Sequence, residues 1–158
     1  MSSVSILVDV QNVYYTTKQS FNKKFDYGKF WQQVTQHREV VHAVAYAIES
    51  GDEMQQRFQH RLKQIGFEVK LKPYIQRGDG SAKGDWDVGI TLDAMEFAEL
   101  SDTVVIVSGD GDFDMLVQRV QTKHQCTVEV YGVESLTAGS LIRSADKFIP
   151  ITSELLIS

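Results

Sequence analysis

Two short apolar runs that each end in an aspartate constrain the fold of this 158-residue chain more than any other feature. Residues 5–8 (SILV) lead into Asp9, and residues 103–107 (TVVIV) lead into the segment SGDGDFD. Runs of this length are typical of strands that are buried on both faces of a parallel sheet. In open α/β sheets the carboxyl ends of such strands form the ligand crevice. We therefore expect acidic residues from distant parts of the chain to meet at one edge of a sheet.

A third acidic segment, KGDWDV at residues 83–88, opens a predicted helix between these two runs. Each acid taken alone could serve a turn or cap a helix, and their joint occurrence at one edge favours a shared role. Gathered carboxylates repel one another unless some are protonated or a cation neutralises them. A hard divalent ion with oxygen ligands is the simpler solution. The predicted ligands are Asp9, Asp110 and Asp112 in the first place, followed by Asp87.

Predicted strands and helices alternate along the chain. The predicted strands cover residues 3–10, 40–48, 67–74, 103–107 and 127–131. The predicted helices are one that ends near residue 36 and four more at 52–65, 85–100, 112–124 and 136–144. Residues 75–84 are predicted to form a loop, and residues 148–157 a short strand or a docked turn. This alternation predicts one α/β domain over residues 1–158, with a mainly parallel sheet and helices on both faces.

The composition excludes several classes of protein. Cys126 is the single cysteine, so an intrachain disulfide and a cysteine-rich zinc site are excluded. The chain shows no secretory signal and no apolar run long enough to span a bilayer, which makes the cytoplasm the expected location. A net charge of -5 argues against a broadly basic nucleic-acid binder. That argument weakens if a bound metal neutralises four of the aspartates.

Other acidic motifs fit the chain poorly. A calcium-binding loop that starts at Asp110 would need glycine where Met115 stands and glutamate where Gln121 stands. A phosphatase with a DxD motif after its first strand would need a second acid at Gln11. A phosphate-binding GxxxxGK[ST] motif is also missing from the sequence.

Three segments resemble the motifs of the NYN-domain family, specifically its LabA-like branch, which is related to the PIN-domain ribonucleases. They are ILVDVQN at residues 6–12, KGDWDVGITLDA at 83–94 and VVIVSGDGDF at 104–113. The resemblance covers residues 4–149 and implies a PIN-like, Rossmann-like α/β/α sandwich of three layers with about five strands. It also implies Mg²⁺ or Mn²⁺ at the strand ends. Carried over residue by residue, the acids are Asp9, Asp87, Asp110 and Asp112.

Four further residues are predicted to support this site. Asn12 could orient Asp9 or donate to a phosphate oxygen, and the Ser108 hydroxyl could do the same. Asp93 matches a frequent acid of the family's middle helix but lies about 120° around the helix from Asp87. Asp114 has no counterpart in the family motif, and we expect it to lie behind the metal ligands and to support them.

The prediction from these features is a metal-dependent nuclease that hydrolyses phosphodiester bonds, with RNA as the expected partner. Carboxylates suit Mg²⁺, and one or two such ions can activate water and neutralise the transition state. The predicted substrate contacts are Arg77, Lys83 and Trp86, since basic and aromatic side chains together form single-strand platforms. Two alternatives stay open: a catalytically silent adaptor domain, and a metal-dependent phosphatase for a small substrate. A homo-oligomer is compatible with the sequence, which does not specify one.

Overall fold

A computed structural model of the chain shows a six-stranded sheet with helices packed on both of its faces. The structure describes residues 1–73, 75–76, 82–83 and 85–158, and for residues 73, 75–76 and 82–83 the backbone alone. The strands are β1 (Ser2–Asp9), β2 (Arg38–Glu49), β3 (Glu68–Pro73), β4 (Ile75–Gln76), β5 (Ala82–Lys83), β6 (Thr103–Val107), β7 (Thr127–Gly132) and β8 (Lys147–Pro150). The helices are α1 (Val10–Phe21), α2 (Tyr27–Val34), α3 (Glu53–Ile65), α4 (Asp87–Ala98), α5 (Asp114–His124) and α6 (Gly139–Ser144).

The large sheet has the order β3-β2-β1-β6-β7-β8, and all neighbouring strands in it run parallel. The predicted α/β fold is therefore confirmed, with one strand more than the five predicted. That strand is β8, which forms within the tail where the sequence allowed either a strand or a docked turn. β3 lies at an edge of the sheet, and β1 and β6 are neighbours near its centre.

Both faces of the central strands are buried, because successive side chains of a strand point to opposite faces. Ile6 and Val8 of β1 belong to a core cluster that also includes Phe30 of α2. Leu7, between them, belongs to a second cluster on the other face, together with Ile90 of α4. Apolar residues are thus favourable at the consecutive positions 6–8 of β1, and this explains the uninterrupted run ILV.

The structure differs from the prediction in the first helical region, where two helices stand in place of one. α1 ends at Asn22, which adopts a left-handed conformation with a φ of 52°. α2 begins after Asp26, whose side chain accepts a hydrogen bond from the backbone N–H of Lys29. A second difference lies within the predicted loop, where β4 and β5 form a short antiparallel pair of strands.

The end of the chain packs against the loop that joins α1 to α2. Phe25 and Leu156 form an isolated antiparallel bridge. The N–H of Asp26 donates to the carbonyl of Leu155 at 2.8 Å, and the N–H of Ile157 donates to the carbonyl of Lys24 at 2.8 Å. Leu155 and Leu156 are buried in the same core cluster as Phe25. The last residues therefore hold the α1–α2 loop in place.

Candidate metal centre

Acidic residues from three parts of the chain lie at the carboxyl edge of the sheet. Asp9 is the last residue of β1, and Asp110 follows β6 by three residues. The two strands pair in parallel with Val8 opposite Val107, so both aspartates come to the same edge. Asp87 is the first residue of α4, which packs against β1, β2 and β6. The prediction that Asp9 and Asp110 share one edge is confirmed.

Three carboxylates at this edge stand close enough to hold one cation. One oxygen each of Asp87, Asp110 and Asp112 lies within 4.8 Å of the other two. Asp87 and Asp110 are half-buried, and Asp112 is exposed to solvent. This donor set consists only of hard oxygen atoms and leaves one side open to water, as Mg²⁺ requires. The residues therefore fit the divalent ion that the acidic pattern predicts.

The segment that carries two of these carboxylates is held in a tight turn. The backbone N–H of Asp112 donates to Asp110 Oδ1 at 3.0 Å, and residues 111–113 form a single 3₁₀ turn. A Cβ atom on Gly109 would lie 2.9 Å from a backbone oxygen of Leu136, and one on Gly111 would lie 2.8 Å from Ala138. Both glycines are needed because the segment at residues 136–138 approaches too closely to leave room for a side chain. The alternation of glycine and aspartate thus brings the two acids together.

Asp9 stands beside the three carboxylates but outside the group that lies within ligand distance. Its Oδ2 accepts a hydrogen bond from Ser108 Oγ at 3.0 Å, and its Oδ1 accepts a weak one from the N–H of Asn12 at 3.5 Å. Burial raises the pKa of Asp9 to about 6, although the Ser108 and Asn12 hydrogen bonds oppose the rise. The sequence favours Asp9 ahead of Asp87 as a ligand, whereas the structure places Asp87 and not Asp9 in the group.

Repulsion within the group is visible in the pKa of Asp87. Burial and the nearby negative charge of Asp110 raise this pKa to about 7, and Asp85 and Asp9 add to the rise. A proton on Asp87 would be shared with Asp110 through a hydrogen bond. Near neutral pH the group can therefore relieve its repulsion by holding a proton or by binding a cation.

Asn12 and Ser108, both predicted to support the site, join the ends of β1 and β6. Asn12 Oδ1 accepts a hydrogen bond from the N–H of Gly109 at 2.9 Å. Ser108 Oγ donates to Asp9 and accepts from the N–H of Asp110 at 3.2 Å. These contacts fix the acidic edge as one unit. The predicted contact of Asn12 with a phosphate stays a prediction.

Asp93 and Asp114 lie outside the group of three carboxylates. Asp93 Oδ2 accepts hydrogen bonds from Tyr46 Oη and from Lys70 Nζ, both at 2.8 Å. It therefore ties α4 to β2 and β3 and acts on the site only by holding the helix that begins with Asp87. Asp114, half-buried, is the first residue of α5.

The structure describes the three predicted substrate residues only in part. Arg77 lies outside the described residues, and for Lys83 only the backbone in β5 is described. Trp86 Nε1 donates to the carbonyl of Ala47 at 2.8 Å, and Lys72 Nζ lies 4.6 Å from the centre of the Trp86 ring. These contacts give Trp86 an internal role in fixing the start of α4. Contact of these three residues with a substrate stays a prediction.

Sequence reasoning missed an exposed aromatic pair next to the site. Tyr14 and Tyr15 lie on α1 and are 46% and 58% exposed. The signal that could have found them is their place in the chain, since they lie two and three residues after Asn12 on the helix that begins at the acidic edge.

Comparisons with known proteins agree with this architecture. The family model of the NYN domain matches residues 3–154. The low amplitude and bright protein LabA of Synechococcus elongatus is 25% identical, with 95% of this chain and 84% of that protein aligned. A crystal structure of a protein of unknown function from Vibrio parahaemolyticus is 56% identical, covers 99% of this chain and 96% of its own, and superposes with a TM-score of 0.95. Among the described residues, none of the helices is both long enough and apolar enough to cross a membrane. The family predicted from the three motifs is confirmed: the chain belongs to the NYN-domain family.

Proposed function

We propose that this protein is a metal-dependent nuclease that hydrolyses phosphodiester bonds in RNA. The observation that carries the proposal is the approach of three carboxylate oxygens, from Asp87, Asp110 and Asp112, to within 4.8 Å at the carboxyl edge of the sheet. NYN domains are generally nucleases, and such enzymes typically need a divalent metal. Mg²⁺ or Mn²⁺ fits the oxygen donors, and the cytoplasm fits a chain whose single cysteine is a free thiol.

The carboxylates at this edge have two proposed roles: three of them bind the metal ion, and Asp9 accepts a proton. A divalent ion held by Asp87, Asp110 and Asp112 would lower the pKa of a water and neutralise charge on the phosphate. Asp9 lies beside them with a pKa of about 6, so it is ionised at neutral pH and able to accept a proton. Ser108 keeps the Asp9 carboxylate oriented through its hydrogen bond. A direct role of Asp9 as a further ligand remains part of the proposal.

A cleavage panel tests the proposal. Labelled single- and double-stranded RNA and DNA are incubated with Mn²⁺ or with EDTA, and the products are separated on gels. We expect cleavage of single-stranded RNA that EDTA abolishes. Asp112→Asn and Asp9→Asn should each lose it, because one removes an ion ligand and the other the proton acceptor. Glu39→Gln, an exposed acid at the opposite end of β2, should cleave as the wild type does.

The same panel, together with p-nitrophenyl phosphate as a small substrate, separates the two alternative functions. A wild type that binds RNA but never cuts it with any divalent ion would identify a silent adaptor domain. Turnover of p-nitrophenyl phosphate without cleavage of any polymer would identify a phosphatase. Cleavage that survives in both aspartate variants would assign the activity to a contaminant and remove support for the nuclease.

A further inference from the structure

Helix α1 carries a mixed aromatic and basic surface that begins at the acidic edge. Tyr14 and Tyr15 are 46% and 58% exposed, and Lys18 is exposed one turn later. The two tyrosine rings lie 5.5 Å apart at an interplanar angle of 71°, so they do not stack on each other. Lys18 Nζ lies 5.6 Å from the centre of the Tyr14 ring and 3.5 Å from its hydroxyl. Positive charge and aromatic faces are therefore presented together.

The segment that contains α1 is basic although the protein is acidic. Residues 10–25 form the longest stretch of the chain without an aspartate or glutamate, and they include three lysines. These are Lys18, Lys23 and Lys24, and all three are exposed. The chain as a whole carries a net charge of -5. A local excess of positive charge beside an acidic site is the pattern expected where a polyanion must be held near bound cations.

The aromatic pair is continuous with the candidate metal centre. Tyr15 follows Asn12 by three residues, so the two side chains are neighbours on the helix surface. Asn12 in turn accepts a hydrogen bond from the N–H of Gly109, in the loop that leads to Asp110. At 1.5 Å per residue, the two tyrosines lie about 8 Å along the helix from Asp9. A strand that reaches the carboxylates can therefore contact Tyr15 and, beside it around the helix, Tyr14.

Among the described residues, three other aromatic and basic side chains at this edge are engaged within the fold. Lys70 pairs with Asp93, Lys72 donates to the carbonyl of Asp85, and Trp86 donates to Ala47. The tyrosines differ from them, because large aromatic rings that remain this exposed contribute little to the stability of the core. Their faces are therefore available to another molecule.

We propose that α1 binds single-stranded nucleic acid, with Tyr14 and Tyr15 stacking on unpaired bases and Lys18 contacting a backbone phosphate. This inference rests on the proposed nuclease function and assigns the substrate contacts of that site to a surface outside the predicted residues. Aromatic faces and lysines are the two components of single-strand platforms. A duplex would hide its base faces from the tyrosines, so the surface selects single strands.

Binding is measured by fluorescence anisotropy with a fluorescein-labelled oligouridylate of about 12 nucleotides at low salt. The Asp110→Asn background is used so that the probe is not consumed. Tyr15→Ala should raise the Kd about tenfold and the double Tyr14→Ala, Tyr15→Ala change further, whereas Tyr15→Phe should stay within about twofold because it keeps the ring. Leu100→Ala removes an equally exposed apolar side chain after α4, at the far end of the sheet, and should leave the Kd unchanged.

The phosphate contact of Lys18 is tested by the salt dependence of the same Kd. Lys18→Gln should lower the slope of log Kd against log salt by about 0.7, since one phosphate contact is lost. Lys123→Gln, an exposed lysine in the last turn of α5, is the matched control and should keep the slope. If the Asp110→Asn protein gives the same slope with and without Lys18→Gln, the proposed phosphate contact is wrong.

The outcomes separate this inference from the nuclease proposal. Wild-type protein that cuts RNA while the tyrosine variants bind the probe normally would overturn the platform and leave the nuclease intact. Probe binding that the tyrosine variants lose, in a protein that never cuts, would support the platform and overturn the nuclease. No binding to the probe at all would overturn the platform. Unchanged Kd values together with a dimer that the tyrosine variants dissociate, seen by sedimentation, would show that the surface contacts a second copy instead.

Discussion

Replacement of Asp9 by asparagine tests how charge is balanced at the acidic edge of the metal-free protein. Burial raises the pKa of Asp9 from the ordinary 3.8 to about 6, against hydrogen bonds from Ser108 and Asn12. At neutral pH the fold therefore holds this carboxylate in its charged form at a cost in free energy. Asparagine has nearly the same shape, can still hydrogen-bond to Ser108 and carries no charge. Asp9→Asn should consequently stabilise the protein in EDTA.

The size and pH dependence of this gain follow from the pKa. A rise from 3.8 to about 6 corresponds to about 3 kcal/mol in the free energy of unfolding above the folded-state pKa. Because the side chain keeps some contact with water, we expect a gain of about 1–3 kcal/mol at pH 7.5, or roughly 3–10 °C in Tm. The folded state binds this proton more tightly than the unfolded state does, so wild-type stability falls as pH rises from about 4 to about 6. Near pH 4 the two proteins should be equally stable.

The assay is urea unfolding of both proteins in EDTA at several pH values from about 4.5 to 8. Glu39→Gln removes an exposed carboxylate at the start of β2 and should change the stability little at any pH. A loss of stability in Asp9→Asn at pH 7.5, or a gain of the same size at every pH, would refute the reasoning. The first result would mean that the Ser108 hydrogen bond outweighs the cost of burial, and the second that the gain does not come from charge.

Three further predictions concern the metal, the support of α4 and the end of α3. Mn²⁺ at 100 times its Kd should stabilise the wild type by about 2.7 kcal/mol, and Asp110→Asn should lose most of this gain in a melting titration. Asp93→Ala should cost about 1–3 kcal/mol in urea unfolding, because Lys70 then loses its carboxylate partner. Gly66→Ala should cost more than about 2 kcal/mol in the same assay, since its φ is 139° and a Cβ would lie 2.6 Å from Trp31.

Each of these changes has a matched control. Glu39→Gln should keep the full gain from Mn²⁺. Tyr46→Phe removes one of the two donors to Asp93 and should cost only about 1 kcal/mol. Gly51→Ala has a φ of 79° and no described atom within 4 Å of the added Cβ, so it should cost only about 1 kcal/mol. A retained Mn²⁺ gain in the aspartate variant, an unchanged stability without Asp93, or equal costs at the two glycines would contradict the respective argument.

The central strands are predictable from the sequence because both of their faces are buried. The predicted range of residues 103–107 coincides with β6, in which all five residues are buried. The break between α1 and α2 is not predictable from apolar spacing, because the four-residue spacing of Phe21 and Phe25 suits one helix. The local signals for the break are Asn22, which takes a left-handed conformation, and Asp26, which caps the second helix.

The acidic edge is predictable from the sequence, whereas the choice of ligands within it is not. Strand ends determine that Asp9 and Asp110 reach the same edge, since parallel neighbours end together. The position of Asp87 depends on where α4 begins relative to the sheet. A tertiary contact, from the Trp86 indole to the carbonyl of Ala47, helps to fix that position. No local pattern encodes a contact between residues so far apart in the chain, and so the ranking of Asp9 above Asp87 could not be corrected from the sequence.

The contact between the chain end and the α1–α2 loop sets an order for folding during synthesis. Leu156 is synthesised well after Phe25, and at about 5–20 residues per second the ribosome adds the intervening residues in roughly 7–26 seconds. During this time the first half of the sheet has been made, but its loop lacks the backbone partners at residues 155–157. Contacts this distant in sequence also slow folding, because a long loop must close before they form. The α1–α2 loop is therefore secured only after the first half of the sheet has been made, and until then the Phe25 ring lacks Leu155 and Leu156, its partners in the core.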